Sequence, residues 1–392
     1  MHHLTLHSSQ LHKDGRLRAI VAGGGTAGHI YPALAIAAAL KERYDADILY
    51  MGAKHDLHGA PPRELALAES AGWPYIGVSA AGLSRRSPRI LLDIVKNYRG
   101  IIEAKKHIRR FRPYIVIGTG GYAMAPVLRA AAALKIPTLL HEQNVCPGWA
   151  NRYLARKVDM VCLTFAASLP FFSAKTHTKV TGLPVRRDII TANRAEAFAF
   201  WGIEGKEKER FTLLVTGGSQ GARHLNEVLC SCYGELLDAG LRIIHLTGAA
   251  HIEACREAAE KYLQQENLHV LPYLEDMRYA LALADLAVGR SGASFLAEIA
   301  VSGLPAILIP YPFAANDHQT LNARSFTASG AALLIKNNDL NAQELSKLLL
   351  ELANDKGQLQ KMSAAAKALA QPHAINNIID AVDELIYNNK QK

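Results

Sequence analysis

Along almost the whole chain, short apolar runs alternate with segments of helical period. LRAIVA, ADILYM, PYIGV, YIVIG, PTLLHE and DMVCLT occupy the first half, and FTLLVTG, LRIIHLTG, LHVLP, DLAVG and PAILIPY follow in the second. Such alternation predicts an α/β fold of parallel sheets covered by helices on both faces. The pattern then starts again midway. IVAGGGTAG opens the first half and LLVTGGSQGARHLNEVL (Leu213 to Leu229) the second, each a strand, a glycine loop and a helix. Between them VTGLPVRRDII (Val180 to Ile190) holds glycine and proline without a strong period, and two domains should join there.

The predicted division is a disordered tail over 1–16, an N-terminal domain over 17–184, a C-terminal domain over 185–372 and a final amphipathic helix over 373–392 that can pack back on the N-terminal domain. Two similar α/β domains would face each other across a cleft, with ligands at the carboxyl ends of the strands.

Composition adds bounds. The chain has 392 residues, 49% apolar and 20% charged, which suits a globular protein of two domains. No uncharged apolar run is long enough to span a membrane. The opening MHHLTLHSSQLHKDGRL lacks a continuous apolar core and does not read as a signal peptide; His2, His3, His7 and His12 match no metal-site spacing. Cys146, Cys162, Cys230, Cys232 and Cys255 form no C-x-x-C pair and read as reduced, mostly buried thiols. The net charge of +9 changes the picture more, since it implies an anionic partner: nucleic acid, an acidic membrane surface or a phosphate-bearing substrate.

Gly23, Gly25 and Gly28 fit G-x-G-x-x-G, the dinucleotide pattern. A dinucleotide domain also needs an acid at the end of its second strand to hold the ribose. That end reads Met51, Gly52, Ala53, while Asp45 and Asp47 come before the strand or at its start, which argues against NAD. Tight turning alone does not explain a second cluster at Gly217, Gly218 and Gly221. GTGGYAMAP (Gly118 to Pro126) and GRSGASFLAEIAVSGLP (Gly289 to Pro305) add further loop–helix junctions, the latter with Ser291, Gly292 and Ala293 at a helix start. Several helix N-termini suit a substrate carrying a diphosphate. None matches the P-loop pattern, so P-loop ATP hydrolysis is not expected.

Taken together, GGGTAGHIYPALAIA, GTGGYAMAP, HEQNVCPGWANRYLA, TGLPVR, TGGSQGARHLN, LPYLEDM, RSGASFLAEIAVSGLPAILIPYP and DHQTLNA closely resemble the MurG family, in the family's order and from about Leu17 to the final helix. The resemblance implies a GT-B glycosyltransferase of two Rossmann-like domains. Its reaction would be inverting transfer of N-acetylglucosamine from UDP-N-acetylglucosamine to the 4-hydroxyl of the muramoyl sugar of undecaprenyl-pyrophosphoryl-muramoyl-pentapeptide. It would act peripherally at the cytoplasmic face of the cell membrane, with no cofactor; no D-x-D-like acidic set sits between the domains, so no metal is expected. The chain departs from the family's Gly-Gly-Thr-Gly-Gly-His at Ala27. A φ > 0 there would cost alanine on the order of 1 kcal/mol; a helical φ would cost nothing.

By the same resemblance the Glu298 carboxylate would accept from both ribose hydroxyls, as an acceptor-only group can. A solvated helix glutamate is the plain alternative, and the apolar SFLAEIAVSG around it argues against that. Ser219, Arg186 and the N–H groups of Ala293, Ser294 and Phe295 would hold the diphosphate, Gln220, Leu296 and Ala297 would also belong to the donor site, and Arg290 would add charge or pair with an acid. Leu274 and Met277 would flank uracil, although alone both read as core. Gln319, His318 and Asn322, aligned on one helix face, would contact the sugar. Thr26, Ala27, Gly28 and Asn144 would reach the donor from the N-terminal domain. Gly120, Gly121, Tyr122, His141 and Glu142 would form the acceptor site, with His141 and Glu142 reading also as a buried hydrogen-bonded cluster.

The attacking hydroxyl must lose a proton. His29, of near-neutral pKa and at a helix N-terminus that lowers it further, is the candidate base; helix capping or phosphate orientation is the alternative.

A second basic feature is Gly82 to Pro113. Ile90, Leu91, Ile94, Val95, Tyr98, Ile101 and Ile102 recur at helical spacing among Arg85, Arg86, Arg89, Lys96, Arg99, Lys105, Lys106, Arg109, Arg110 and Arg112. Such a helix either buries its stripe in the core or lies on an anionic bilayer, and a lipid-linked acceptor favours the bilayer. No reader motif for nucleic acid accompanies the charge. Two rival functions share the features: a UDP-N-acetylglucosamine 2-epimerase, which would need neither the basic segment nor GTGGY, and a non-catalytic nucleotide-sugar-binding subunit, against which both glycine loops and His29 speak.

Overall fold

The structure is a computed structural model that describes residues 16–56, 58–82, 90–218 and 220–390. The expected tail up to residue 15, Ser219, and Arg85, Arg86 and Arg89 lie outside the described residues.

Strands β1 (Arg18–Ala22), β2 (Asp47–Ala53), β3 (Tyr75–Val78), β4 (Ile115–Gly118), β5 (Thr138–Glu142), β6 (Met160–Leu163) and β7 (Thr178–Val180) form a 7-stranded sheet in the order β3-β2-β1-β4-β5-β6-β7. Strands β8 (Thr212–Thr216), β9 (Arg242–Leu246), β10 (Leu268–Leu271), β11 (Leu286–Gly289), β12 (Ala306–Leu308) and β13 (Ala332–Leu334) form a 6-stranded sheet in the order β10-β9-β8-β11-β12-β13. All pairings are parallel; Ala19, for example, lies between Ile48 and Ile115. Parallel strands joined by crossover helices are covered on both faces, so β4, β5, β8, β9 and β11 are buried throughout. The pattern of apolar runs did not reveal β7 and β13. Each is a three-residue strand at a sheet edge; β7 (TKV) has a single apolar position, and β13 (ALL), although apolar, is too short to stand out from the helices beside it.

Connecting helices in the first half are α1 (Ala27–Tyr44), α2 (Arg63–Ser70), α3 (Ile90–Phe111), α4 (Met124–Ala133) and α5 (Trp149–Leu154). The second half has α6 (Arg187–Thr191), α7 (Arg194–Trp201), α8 (Arg223–Asp238), α9 (Ile252–Ala259), α10 (Met277–Leu283), α11 (Ala293–Ser302), α12 (His318–Ala328), α13 (Ala342–Asn354) and α14 (Lys356–Ala368), and α15 (Ala374–Lys390) ends the chain. Local chemistry sets several ends. Asn193 and Asn341 cap α7 and α13 by accepting from the backbone N–H of Glu196 and Glu344, and Gly202 and Gly303 close α7 and α11 in the left-handed conformation.

The chain divides into two compact units, Met1–Pro184 with His373–Lys392, and Val185–Pro372. The last helix therefore belongs to the first unit. Ile378, Ile379, Val382, Leu385 and Ile386 on α15 join a core with Ala33, Ile36 and Leu40 of α1. Asp383, buried beside them, accepts from the Tyr44 hydroxyl and pairs with Arg43 at 3.0 Å, while Asn377 Nδ2 donates to Thr181 O at 3.2 Å.

Asp383→Ala should lower the stability of the first unit by about 2–3 kcal/mol, because it strands a buried hydroxyl and a half-buried guanidinium. Tyr44→Phe removes one hydrogen bond and should cost about 1–2 kcal/mol more than an exposed tyrosine would. Urea unfolding followed by tryptophan fluorescence checks both; an unchanged midpoint in Asp383→Ala would show that α15 is held by its apolar face alone.

Candidate active site

In each sheet the strand order reverses between two neighbours, β1 and β4 in the first and β8 and β11 in the second. Loops leaving such strands diverge to opposite faces and open a crevice at their carboxyl ends. The glycine clusters fall at these reversals.

In the first unit the loops after β1 and β4 lie backbone to backbone. Gly24 N donates to Gly120 O at 3.3 Å, Thr119 N to Ala22 O at 2.9 Å and Thr119 Oγ1 to His29 O at 2.7 Å. A Cβ on Gly121 would collide with Gly24 O, and one on Gly120 with the His29 ring; both residues also have positive φ, +113° and +81° for Gly120 and Gly121. These glycines serve close approach. Ala27 is the first residue of α1 and is absent from the positive-φ residues, so the departure from the family's glycine carries no strain. Thr26 is the extended N-cap, and Thr26 and Gly28 are exposed.

His29, half-buried in the first turn of α1, has Nδ1 at 2.9 Å from Gln143 Oε1 and 3.2 Å from Thr119 O. Carbonyl oxygens only accept, so Nδ1 carries the proton and Nε2 of the neutral ring carries the lone pair.

Beneath the loop lies a residue the sequence reading missed. Glu64 on α2 is buried, and its oxygens face the N–H of Gly25 at 3.3 Å and of Ala53 at 3.4 Å. Tyr50, Tyr75 and Tyr122 surround it; burial, then the Glu64 charge, pushes their hydroxyl pKa values up, to about 12 for Tyr122. An anion from within the chain thus already engages the Gly25 amide. In RELALAES the residue looks like a solvated helix acid, and no local signal marks it.

His141 and Glu142, read as acceptor contacts or as a buried cluster, are 0% and 1% exposed. His141 Nε2 donates to Gly182 O at 2.9 Å, and burial lowers its pKa to about 4. Glu142 accepts from Asn144 N at 2.8 Å and Asn151 Nδ2 at 2.6 Å; burial raises its pKa to about 7 against those bonds. The arrangement is therefore the buried cluster, and direct contact of either with an acceptor is corrected to support of the loop that bears Asn144. Tyr122, by contrast, is half exposed.

In the second unit Gly217, Gly218 and Gly221 turn the chain from β8 toward α8; Gly221 has φ +75° and passes too close to Thr247 O for a side chain, and Gln220 beside it is exposed. After β11, α11 begins at Ala293 with Gly292 as N-cap and, among the described residues, no side-chain cap. The N–H groups of Ala293, Ser294 and Phe295 belong to the first turn, which lacks intrahelical acceptors. Glu298 follows one turn on, half-buried. Burial raises its pKa to about 7, opposed by the charge of Arg186. Leu296 is core, and Ala297 is half-buried.

Two expected donor contacts need correction. Arg290 donates from Nη1 to Ile309 O at 3.1 Å and Pro310 O at 3.0 Å, so it ties the β11 loop to the end of β12 and pairs with no acid among the described residues. Asn322 is fully buried and donates to Ser291 O at 3.2 Å, which places it behind the loop. Gln319 Oε1 accepts from Tyr311 N at 2.9 Å, and its Nε2 hydrogens are the group it can offer; His318 Nδ1 bonds Ala315 O at 2.9 Å. Leu274 is buried and Met277 half-buried at the start of α10.

Elsewhere in this unit the fold gathers Cys230, His245 and Cys255, with ligand atoms within 4.8 Å of one another, which their sequence spacing did not suggest. Both His245 nitrogens are engaged, Nδ1 with the Tyr233 hydroxyl at 2.6 Å and Nε2 with Asn226 Oδ1 at 3.1 Å, so the cluster satisfies itself.

Comparison with known proteins agrees with this geometry. The glycosyltransferase family 28 N-terminal domain matches residues 19–163 and the family 28 C-terminal domain residues 212–378. A UDP-N-acetylglucosamine–N-acetylmuramyl-(pentapeptide) pyrophosphoryl-undecaprenol N-acetylglucosamine transferase of Halothermothrix orenii is 40% identical over 376 residues, covering 94% of this chain and 99% of that one. A protein of the same name from Desulfitobacterium hafniense is 43% identical, covering 93% and 98%. Among solved structures, MurG of Acinetobacter baumannii superposes with a TM-score of 0.76 at 28% identity over 94% of this chain and 99% of that one. A UDP-N-acetylglucosamine 2-epimerase gives 0.63 at 16% identity, covering 96% and 97%, which shows the shared fold alone.

Two Rossmann-ordered parallel sheets with a glycine-loop site at each reversal define a glycosyltransferase of the GT-B architecture. The chain belongs to the MurG family.

Proposed function

We propose that the chain performs the transfer its relatives are named for, with UDP-N-acetylglucosamine as donor and the lipid-linked muramoyl-pentapeptide as acceptor. The observation that carries the mechanism is the placement of His29 Nδ1 against two oxygen acceptors, Gln143 Oε1 at 2.9 Å and Thr119 O at 3.2 Å. The acceptor 4-hydroxyl attacks the anomeric carbon, forming the new C–O bond as the bond to the UDP oxygen breaks. Its proton passes to His29 Nε2, and the electron pair leaves on the diphosphate. Negative charge gathering there meets the first-turn N–H groups of α11 and the Arg186 guanidinium. Glu298 takes both ribose hydroxyls, Gln319 and His318 contact the sugar, and Leu274 and Met277 border uracil.

The acceptor's lipid stays in the bilayer, so the enzyme goes to it. Support comes from α3. Its inner face is small: Gly100, Ala104 and Ile108 are buried, and a Cβ on Gly100 would strike Ser79 O. Most of the apolar stripe given by the spacing faces outward: Leu91 is 74% exposed and Val95 65%, with Ile94, Tyr98 and Ile102 also exposed, while Ile101 packs partly on the core. Exposed Lys96, Arg99, Lys106, Arg109 and Arg110 share the helix. No helix of the described residues is long and apolar enough to cross a membrane. An apolar strip set among cations is the chemistry of a peripheral helix on anionic lipid at the cytoplasmic face.

The purified chain should by itself convert UDP-N-acetylglucosamine and the lipid-linked muramoyl acceptor to disaccharide and UDP. His29→Ala should lower kcat by roughly 100-fold or more with little change in donor KM. Turnover near wild type at saturating substrates would remove His29 from the base role.

Burial raises the Glu298 pKa to about 7, and only the ionised carboxylate offers both oxygens as acceptors to the two ribose hydroxyls. UDP affinity should therefore rise with pH and be roughly tenfold weaker at pH 6 than at its plateau. Glu298→Gln cannot ionise and should bind more weakly at pH 8 without this dependence. UDP's own titration is common to both proteins, so calorimetry on the pair isolates the carboxyl; parallel curves would refute the ribose assignment.

Leu91→Asp/Val95→Asp should abolish sedimentation with phosphatidylglycerol vesicles at low salt while leaving UDP binding intact. Wild-type protein should release at high salt and ignore phosphatidylcholine vesicles. Equal binding to both lipids would overturn the assignment.

A further inference from the structure

Gln143, buried at the end of β5, touches His29 on one side and His141 on the other, and nothing in the motif HEQN distinguishes it from its neighbours. The sense of its amide is fixed. Gln143 Nε2 lies 3.1 Å from His141 O, a carbonyl that can only accept, and 3.1 Å from His141 Nδ1. Oε1 must therefore point to His29, 2.9 Å away. His141 is fixed in the same way, since its Nε2 donates to Gly182 O at 2.9 Å and its Nδ1 is left to accept. Every hydrogen bond then runs in one direction: His29 donates to Gln143, Gln143 to His141, and His141 to Gly182.

We infer that Gln143 is a positioning residue for glycosyl transfer: held by His141 and Gly182, it locks His29 in the ring orientation and tautomer that leave Nε2 ready to take the acceptor's proton.

The inference rests on the reading of His29 as base. The alternatives within the network are unfavourable. A flipped amide would set N–H against the Nδ1–H of His29, or force the tautomer whose Nε2 already bears a proton. A protonated His141 would set N–H against the Gln143 amide, and burial, which holds the His141 pKa down to about 4, keeps that ring neutral. The charge of His29 also lowers the His141 pKa, in the same sense as burial; Glu64 instead contacts the N–H groups of Gly25 and Ala53. Thr119 O, at 3.2 Å from Nδ1, accepts in the same sense, and the Cα of Gly120 closes on the ring. The chain of bonds links the ends of β4, β5 and β7, so the ring's position is set by the sheet and not by the helix that carries His29.

The test uses the full chain with Gln143→Leu and Gln143→Glu, reading transfer against pH and the ring nitrogens of His29 by 15N NMR. Gln143→Leu should lower kcat at least about tenfold with donor KM changed less than about twofold, and should populate the Nε2-protonated tautomer. Gln143→Glu should shift the acid limb of kcat/KM upward by about one pH unit, since a carboxylate beside Nδ1 stabilises the imidazolium. An unchanged urea-unfolding midpoint of the first unit, which holds Gln143 and His29, reports that the variants fold. If Gln143→Leu keeps the Nδ1-protonated tautomer, and Gln143→Glu moves neither the His29 titration nor the acid limb, the role of Gln143 is overturned. If the NMR titration moves as expected while the acid limb stays, Gln143 still positions His29, and the base reading is what fails.

Discussion

The site in the first unit depends on the close approach of two loop backbones at the carboxyl ends of β1 and β4. Gly24 donates to Gly120, and Gly121 passes over Gly24 with no room for a side chain. That contact puts Thr119 over the first turn of α1, where its hydroxyl holds the His29 carbonyl and its own carbonyl faces Nδ1. A glycine-rich turn that would bind pyrophosphate in a dinucleotide fold is used here to bring a ring nitrogen, rather than a phosphate, to the reversal of strand order. The buried Glu64 carboxylate on the Gly25 amide fits the same account, because it already supplies the anion the loop attracts.

Buried carboxyls recur with different consequences. Burial raises the pKa of both Glu142 and Glu298 to about 7, yet the first accepts from the amides of Asn144 and Asn151 and the second is opposed by the charge of Arg186. A saturated acid fixes a loop. Asp383 shows a third use, the anchoring of α15 to α1 through Tyr44 and Arg43.

Helix α3 inverts the ordinary logic of an amphipathic helix. Its fully buried positions are glycine, alanine and one isoleucine, with Ile101 and Phe111 partly buried beside them, while Leu91, Leu92, Ile94, Val95, Tyr98 and Ile102 face outward among cations. Small residues permit the close packing that holds it, which leaves the large ones available for a surface other than the core.

By itself the sequence determined the alternation of strands and helices, the internal repeat and the positions of the glycine loops, because burial on both faces of a parallel sheet and tight backbone turns each impose a local pattern. It also carried the family through eight motifs. It did not reveal β7 and β13, edge strands of three residues too short to stand out. Tertiary structure alone decided that Arg290 serves backbone carbonyls, that Asn322, His141 and Glu142 face inward, and that Glu64 contacts the glycine loop before α1 and Gln143 the His29 ring in its first turn. The physical reason is common to all of them. A polar side chain's role depends on which donors and acceptors lie within about 3 Å of it, and those partners come from strands and loops tens of residues away along the chain.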